Sequence, residues 1–255
     1  MLDRASFLLD TLGIGDVPPR RIGKLVSYDG QMLEATGLAQ PVGASVRVID
    51  GDGHATRAEV VGFRGEKSLL MALDGNAPHS NGGRVEPDGK GGVAEVGEQL
   101  LGRVVDATGR PLDGLGPVGA DKSWPLAGKP ANPLDRARVT ECFDMGVRAI
   151  NALLTAGVGQ RIAIAAGSGV GKSVLMGQMI QGADADVIVV GLIGERSREV
   201  ADFLATKLIP GVREKSVVVA VPADHPPVLR LRAAMRATAI AEYFRDQGKR
   251  VLLLI

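Results

Sequence analysis

Hydrophobic and polar positions follow two different rhythms along this chain, and the rhythm changes near residue 140. Upstream, apolar runs are short and punctuated by glycine. In "ASVRVIDGDGHATRAEVVGF" Val46 and Val48 alternate with polar neighbours, the chain turns at Gly51 to Gly53, and the apolar run resumes. "QMLEATGL" precedes this stretch and "EKSLLMALDG" follows it. A period of two with closely spaced turn residues predicts short antiparallel strands, in a small barrel or sandwich, over residues 21–90. "LDGLGPVGADKSWPLAGKPANPLDRARV" is too rich in Gly and Pro for a long helix or a central strand. Residues 91–140 therefore read as a connector, extended over the surface from 111 to 139, with Trp124 anchoring it by packing.

Downstream the period lengthens. "MGVRAINALLTAG" predicts a helix over 145–157 with a glycine stop. Strand "RIAIAA" and helix "KSVLMGQMIQG" follow, then strand "DVIVVGLI" and helix "SREVADFLATKL". Strand "SVVVAV", the long helix "PVLRLRAAMRATAIAEYFRDQG" and strand "RVLLLI" complete the alternation. Strands that are continuous apolar runs between helices predict a mostly parallel sheet covered on both faces. The fold class is α/β, with this core over 141–255. Residues 1–20, "MLDRASFLLDTLGIG" and beyond, are too short and charged for a signal peptide or membrane span. They read as a short amphipathic helix or frayed end, with a docking helix for a partner as the alternative.

Composition removes several function classes. A net charge of +1 gives no basic field for nucleic acid or an anionic membrane. Aromatic residues make up 3% of the chain, too few for base-stacking platforms. The single cysteine, Cys142, excludes an internal disulfide, suits a reducing cytoplasm and reads as a small buried residue. His54, His79 and His225 lack metal-ligand spacing. Arg230, Arg232, Arg236 and Arg245 on the long helix read as a solvated face, or alternatively as a subunit interface.

The chemistry concentrates in "AAGSGVGKS". Ala166, Gly167, Ser168, Gly169, Val170, Gly171, Lys172 and Ser173, with Val174 entering the helix, match a phosphate loop placed between a strand and a helix. Its glycines let backbone N–H groups cradle phosphate oxygens, and the helix presents its positive end to the same anion. Lys172 suits the β- and γ-phosphates of ATP as a point charge, and the Ser173 hydroxyl suits Mg²⁺. Ala166 stands where the strict pattern has glycine. A dinucleotide fingerprint does not fit, because no third glycine falls three residues after the second. In "GLIGERSREV" Gly194 breaks a strand and Glu195 projects from its carboxyl end, where open α/β sheets bind ligands. A carboxylate there orients an attacking water, while Arg196 neutralises developing phosphate charge or pairs with Glu195.

"AGSGVGKSVL", "VVGLIGERSREV", "ATAIAEYFRDQGKRVLLLI", "GEQLLGRVVDATGRPLDG" and "DMGVRAINALLTAGVGQR" together resemble the ATPases of bacterial type III export. These are kin to the catalytic subunit of rotary ATP synthases, and the flagellum-specific export ATPase is the nearest look-alike. Ser197 departs from the glycine usual in that branch, and Glu195 differs from the glutamine of the synthase's non-catalytic subunits. The resemblance implies a P-loop NTPase core of RecA and rotary-ATPase type behind a small antiparallel β-barrel. It implies Mg²⁺-dependent ATP hydrolysis coupled to flagellar protein export. A virulence secretion ATPase, a synthase catalytic subunit and a non-hydrolysing assembly module are the alternatives. It further implies a homohexamer, cytoplasmic and peripheral to an inner-membrane export gate. Its partners would be exported flagellar proteins and their chaperones, and a stator-like regulator docked on residues 1–20. Finally, it implies a C-terminally truncated chain. The aspartate that completes the Mg²⁺ shell, the neighbour-directed arginine finger and a helical domain would lie beyond Ile255, leaving weak nucleotide binding and almost no hydrolysis.

Overall fold

The computed structural model describes residues 21–30, 32–74, 79–89, 91–130, 132–167 and 169–255, without the side chain of Asp135. The expected helix over 1–20 and the expected loop residue Ser168 lie outside the described residues. The chain divides into two compact units, 1–91 and 92–255.

The first unit is a closed barrel. Its strands are β1 (Gly23–Tyr28), β2 (Met32–Thr36), β3 (Ser45–Ile49), β4 (Ala55–Arg64), β5 (Lys67–Ala72) and β6 (Arg84–Pro87). They run in the order β1-β2-β5-β4-β3-β6, and β6 pairs back onto β1 through Gly23 with Val85 and Lys24 with Arg84. All pairings are antiparallel. The period-two pattern fills the interior: Leu25, Leu33, Val46, Val48, Val60, Leu70 and Val85 form one buried cluster. The buried polar contacts described in this unit include His79 Nδ1 with Asp50 Oδ2 at 3.1 Å. Closure removes the exposed strand edges that an open sheet of this size would present.

The second unit opens with β7 (Val93–Val96), β8 (Val104–Val105) and β9 (Lys122–Pro125). β7 and β9 form an antiparallel ribbon, and β8 pairs parallel to the core sheet. The helices are α1 (Arg148–Leu153), α2 (Lys172–Gly182), α3 (Ser197–Lys207), α4 (Pro210–Arg213) and α5 (Pro227–Asp246). The core strands are β10 (Val187–Ile193), β11 (Ser216–Val221) and β12 (Val251–Leu254). The sheet order is β12-β10-β11-β8, every pair parallel. β11 is buried at every position and β10 at every position but its last, as expected for strands covered on both faces. Ile188, Val190 and Leu192 face Met179, Ile180 and Phe203 on the α2–α3 side. The alternate positions face α5, where Ala233 and Ala237 allow close approach.

Several expectations are corrected. "RIAIAA" forms no ladder: residues 161–167 are extended and mostly exposed. A strand exists only where its N–H and C=O groups are paired, and among the described residues none pairs with this segment. The helix expected over 145–157 shortens to Arg148–Leu153 and has no buried residue. Only Ile150 of this helix packs, partly buried, against the core, and so little buried apolar surface does not support a longer helix. Cys142 is exposed rather than buried, since it lies in the irregular lead-in and bridges only to Gly157. The arginines of α5 form a solvated face only in part: Arg245 is exposed and Arg230 half-buried, but Arg232 and Arg236 are buried. Arg236 donates from Nε to the Ala107 carbonyl and from Nη2 to that of Thr108, capping the 106–110 turn.

Trp124 does anchor the ribbon. It is buried, stacks edge-on to Tyr243, and its Nε1–H donates to Glu242 Oε2 at 2.9 Å. Lys129 Nζ sits 3.5 Å from its ring centroid. Trp124→Phe keeps most of the apolar body but strands the Glu242 carboxylate. It is expected to cost about 2 kcal/mol, the scale of a hydrogen bond to a charged group. Urea unfolding of the two forms measures this.

Candidate active site

The site begins with the start of α2. Gly171 is its N-cap residue, at φ 97° and ψ 16°, and no side chain caps the first turn. Gly169 is likewise left-handed at φ 77°. Residues with a Cβ avoid that region, so glycine sets the loop's course. A Cβ placed on Gly167, Gly169 or Gly171 would meet nothing within 4 Å, which leaves the concave side of the loop open. The first turn of α2 carries no acidic residue, so its uncapped N–H groups and helix dipole face outward unopposed. Left-handed glycines and an uncapped helix start are the parts from which an anion cradle could be built.

The second element ends β10. Gly194, at φ 77°, stops the strand. Its N–H donates to the Val221 carbonyl at 2.8 Å, and the Ala223 N–H donates to the Glu195 carbonyl at 3.0 Å. The turn that carries Glu195 is thus tied to the loop after β11. Glu195 Oε1 lies 3.4 Å from Lys172 Nζ, so the fold brings together two residues 23 positions apart. Arg196 turns the other way: its Nη1 lies 3.6 Å from Glu199 Oε1, within its own helix.

A cleft of about 570 Å³ opens beside this pair. Lys172, Ser173 and Glu195 line its polar part, and Ile162, Phe203 and Leu253 line its apolar part. That volume suits a nucleotide-sized ligand. Val170 and Val174 stand exposed beside the loop. The Ser173 hydroxyl is a hard oxygen donor of the kind Mg²⁺ takes in combination with substrate phosphates and water. Among the described residues no group of three His, Cys, Asp or Glu could hold a metal by itself. The donor set therefore fits a Mg²⁺ ion carried in with a polyphosphate.

Glu199, Asp202 and Lys207 also line the cleft, and sequence reasoning missed them. Their spacing along α3 was the available signal: Glu199, Phe203 and Lys207 follow at steps of four and Asp202 lies three after Glu199, so they share a helix face. Arg230, which the sequence placed on a solvated face or a subunit interface, is half-buried close to Gly194. It lies in the first turn of α5, directly after the rim loop that holds the Glu195 turn.

Comparison with known proteins follows the same residues. Residues 146–255 match the ATP synthase alpha/beta family, nucleotide-binding domain. The flagellum-specific ATP synthase of Salmonella typhimurium strain LT2 is 48% identical over 246 residues, covering 92% of this chain and 54% of its own length. The chain is similar to these proteins along most of its own length. The match to the family's nucleotide-binding domain contains the phosphate loop, Glu195, Arg196 and α5. The similarity to the Salmonella relative extends over the barrel as well. The assembled ATPase EscN from the enteropathogenic E. coli type III secretion system has the same fold, at a TM-score of 0.81 and 41% identity. That match covers 91% of this chain and 55% of EscN. EscN in complex with its central stalk EscO matches at 0.79 and 41%, covering 91% and 56%. The chain spans about half the length of the curated relatives it matches.

Proposed function

We propose that this chain carries the nucleotide-binding half of an ATPase that drives type III protein export for flagellum assembly. The observation that carries the reading is the Glu195 carboxylate held 3.4 Å from Lys172, at the mouth of an open phosphate cradle. Residues 166–173 hold the phosphates through loop N–H groups, the α2 terminus and Lys172. Ser173 would hold Mg²⁺, whose charge supports the β- and γ-phosphate oxygens. Glu195 orients a water for in-line attack on the γ-phosphorus as the bond to the bridging oxygen breaks, giving ADP and phosphate. Arg196, exposed and paired with Glu199 among the described residues, can swing toward developing charge.

The wider setting belongs to the same proposal. EscN is an assembled ATPase and has been solved with a central stalk. A homohexamer with ATP near subunit boundaries, and a regulator bound through residues 1–20, extend that pattern to this chain. No described helix is long and apolar enough to cross a membrane. A cytoplasmic protein peripheral to the inner-membrane export gate, handling flagellar proteins and their chaperones, fits that. The virulence secretion branch is the second reading, favoured by the likeness to EscN. The identity of neighbouring genes separates the two.

The test is phosphate release by the full-length protein carrying Glu195→Gln. kcat is expected to fall about 100-fold, the scale of a lost general base, with ATP binding retained. Equal rates for the two proteins would remove Glu195 from the chemistry.

A further inference from the structure

Arg230 sits behind the Glu195 turn. Its Cδ lies 3.9 Å from where a Cβ on Gly194 would be, so the arginine stem runs in van der Waals range of Gly194. Arg230 is half-buried, and its Nε is fully buried with no hydrogen-bond partner among the described residues. Among the neighbouring arginines, Arg236 caps the 106–110 turn, and Arg232, whose Nε is buried and unpartnered as well, has interactions of its own elsewhere. A buried N–H left without an acceptor is costly. It persists where another state of the molecule supplies the acceptor.

The acceptor within reach is a carboxylate with one partner. Adjacent Cα atoms are about 3.8 Å apart, so an arginine whose Cδ lies beside Gly194 can carry its guanidinium to the neighbouring Glu195. Among the described residues Lys172 is the one cation on Glu195. Lys172 is also the group that the phosphate-loop reading places on the phosphates. When Lys172 leaves, Glu195 loses its counter-charge beside an incoming polyanion. We propose that Arg230 takes over the Glu195 carboxylate when a nucleotide draws Lys172 onto its phosphates. The exchange releases Lys172 for phosphate and holds Glu195 at the rim as an ionised base. Arg230 is then a positioning residue that acts through Glu195. The proposal rests on the nucleotide reading of the loop.

A double-mutant cycle on the 255-residue chain tests it, with a fluorescent N-methylanthraniloyl ATP and Mg²⁺ as probe. Arg230→Met keeps the stem packed against Gly194 and removes the donors. It is expected to weaken binding about tenfold. In a Glu195→Gln background there is no charge to hand over, and the same substitution should change binding less than twofold. Arg230→Lys, which keeps a cation, should restore affinity to within threefold of the unmodified chain. Thermal unfolding checks that each variant folds, with Arg230→Gln as the replacement if the methionine form does not. An equal loss in both backgrounds overturns the handover, as does no loss in either. If the unmodified chain binds no better than Lys172→Ala, the nucleotide reading itself fails and takes the proposal with it. Binding with an additive cycle removes the handover alone.

Discussion

Lys172→Ala is expected to weaken ATP binding by about 1000-fold while leaving the fold intact. Lys172 makes one interaction with a side chain among those described, the 3.4 Å contact with Glu195, and both groups are more than a third exposed. An exposed pair of this kind contributes at most about 1 kcal/mol, so the melting temperature should barely move. The loss in binding has a different origin. On two phosphate groups the ammonium makes charge-assisted hydrogen bonds of about 2 kcal/mol each, and 4 kcal/mol is about three decades of affinity. Alanine also leaves Glu195 without its described cation at the mouth of a site meant for a polyanion. Lys172→Arg should recover part of the loss only, because a planar fork does not replace a compact charge in a backbone cradle. Titration calorimetry with ATP and Mg²⁺ measures all three forms. A Lys172→Ala affinity within threefold of the unmodified chain would end the assignment of 166–173 as a nucleotide site.

The phosphate loop was legible because its constraints are local. The left-handed positions at Gly169 and Gly171, the cation and the following helix are all written within a few consecutive residues. β10 and β11 were legible for a related reason, since burial on both faces permits no polar interruption. The barrel announced itself through Val46 and Val48, whose alternation matches the pleat. What stayed hidden depends on partners distant in sequence. "RIAIAA" has the composition of a strand, but pairing is a property of two segments. The two residues of β8 are too short to carry a period, and their strand character comes from Val218 and Val219 across the ladder. Arg232 and Arg236 look like surface residues on any helix. Arg236 is buried because two carbonyls from residues 107 and 108 turn toward it. Even the Lys172–Glu195 contact was only half readable. Each residue could be placed at a strand or helix end, but their separation needed the packing of α2 against β10 to bring those ends together.

Asp113→Ala is expected to be the most destabilising single change in the second unit. Asp113 is 1% exposed, and it accepts from Arg103 Nε at 2.8 Å and Nη2 at 2.9 Å. The backbone N–H groups of Val104 and Leu115 donate to the same carboxylate at 2.9 and 3.1 Å. Val104 opens the edge strand β8, so the carboxylate holds the Arg103 side chain, the start of that strand and the following turn at once. Alanine leaves a guanidinium that is 12% exposed without its anion, and two N–H groups without their acceptor. Breaking a buried pair on one side costs about 4 kcal/mol. Asp113→Asn keeps the shape and loses the charge, and should cost about half as much. The same contacts fix the pH response. Hydrogen bonds from Arg103 first, then from the Val104 and Leu115 backbone, hold the Asp113 carboxyl well below the usual carboxylate range, against the opposing effect of burial. The folded state therefore releases this proton more readily than the unfolded state, whose carboxyl titrates near the ordinary value of about 3.9. Its contribution is fully present above that value and declines as pH falls below it, where the unfolded chain takes up the proton first. Urea midpoints measured from pH 6 down to pH 2.5 should fall more steeply for the unmodified chain than for Asp113→Asn. Parallel curves would mean that Asp113 is not ionised in this pair, and the account of the β8 edge would have to be rebuilt on its backbone contacts alone.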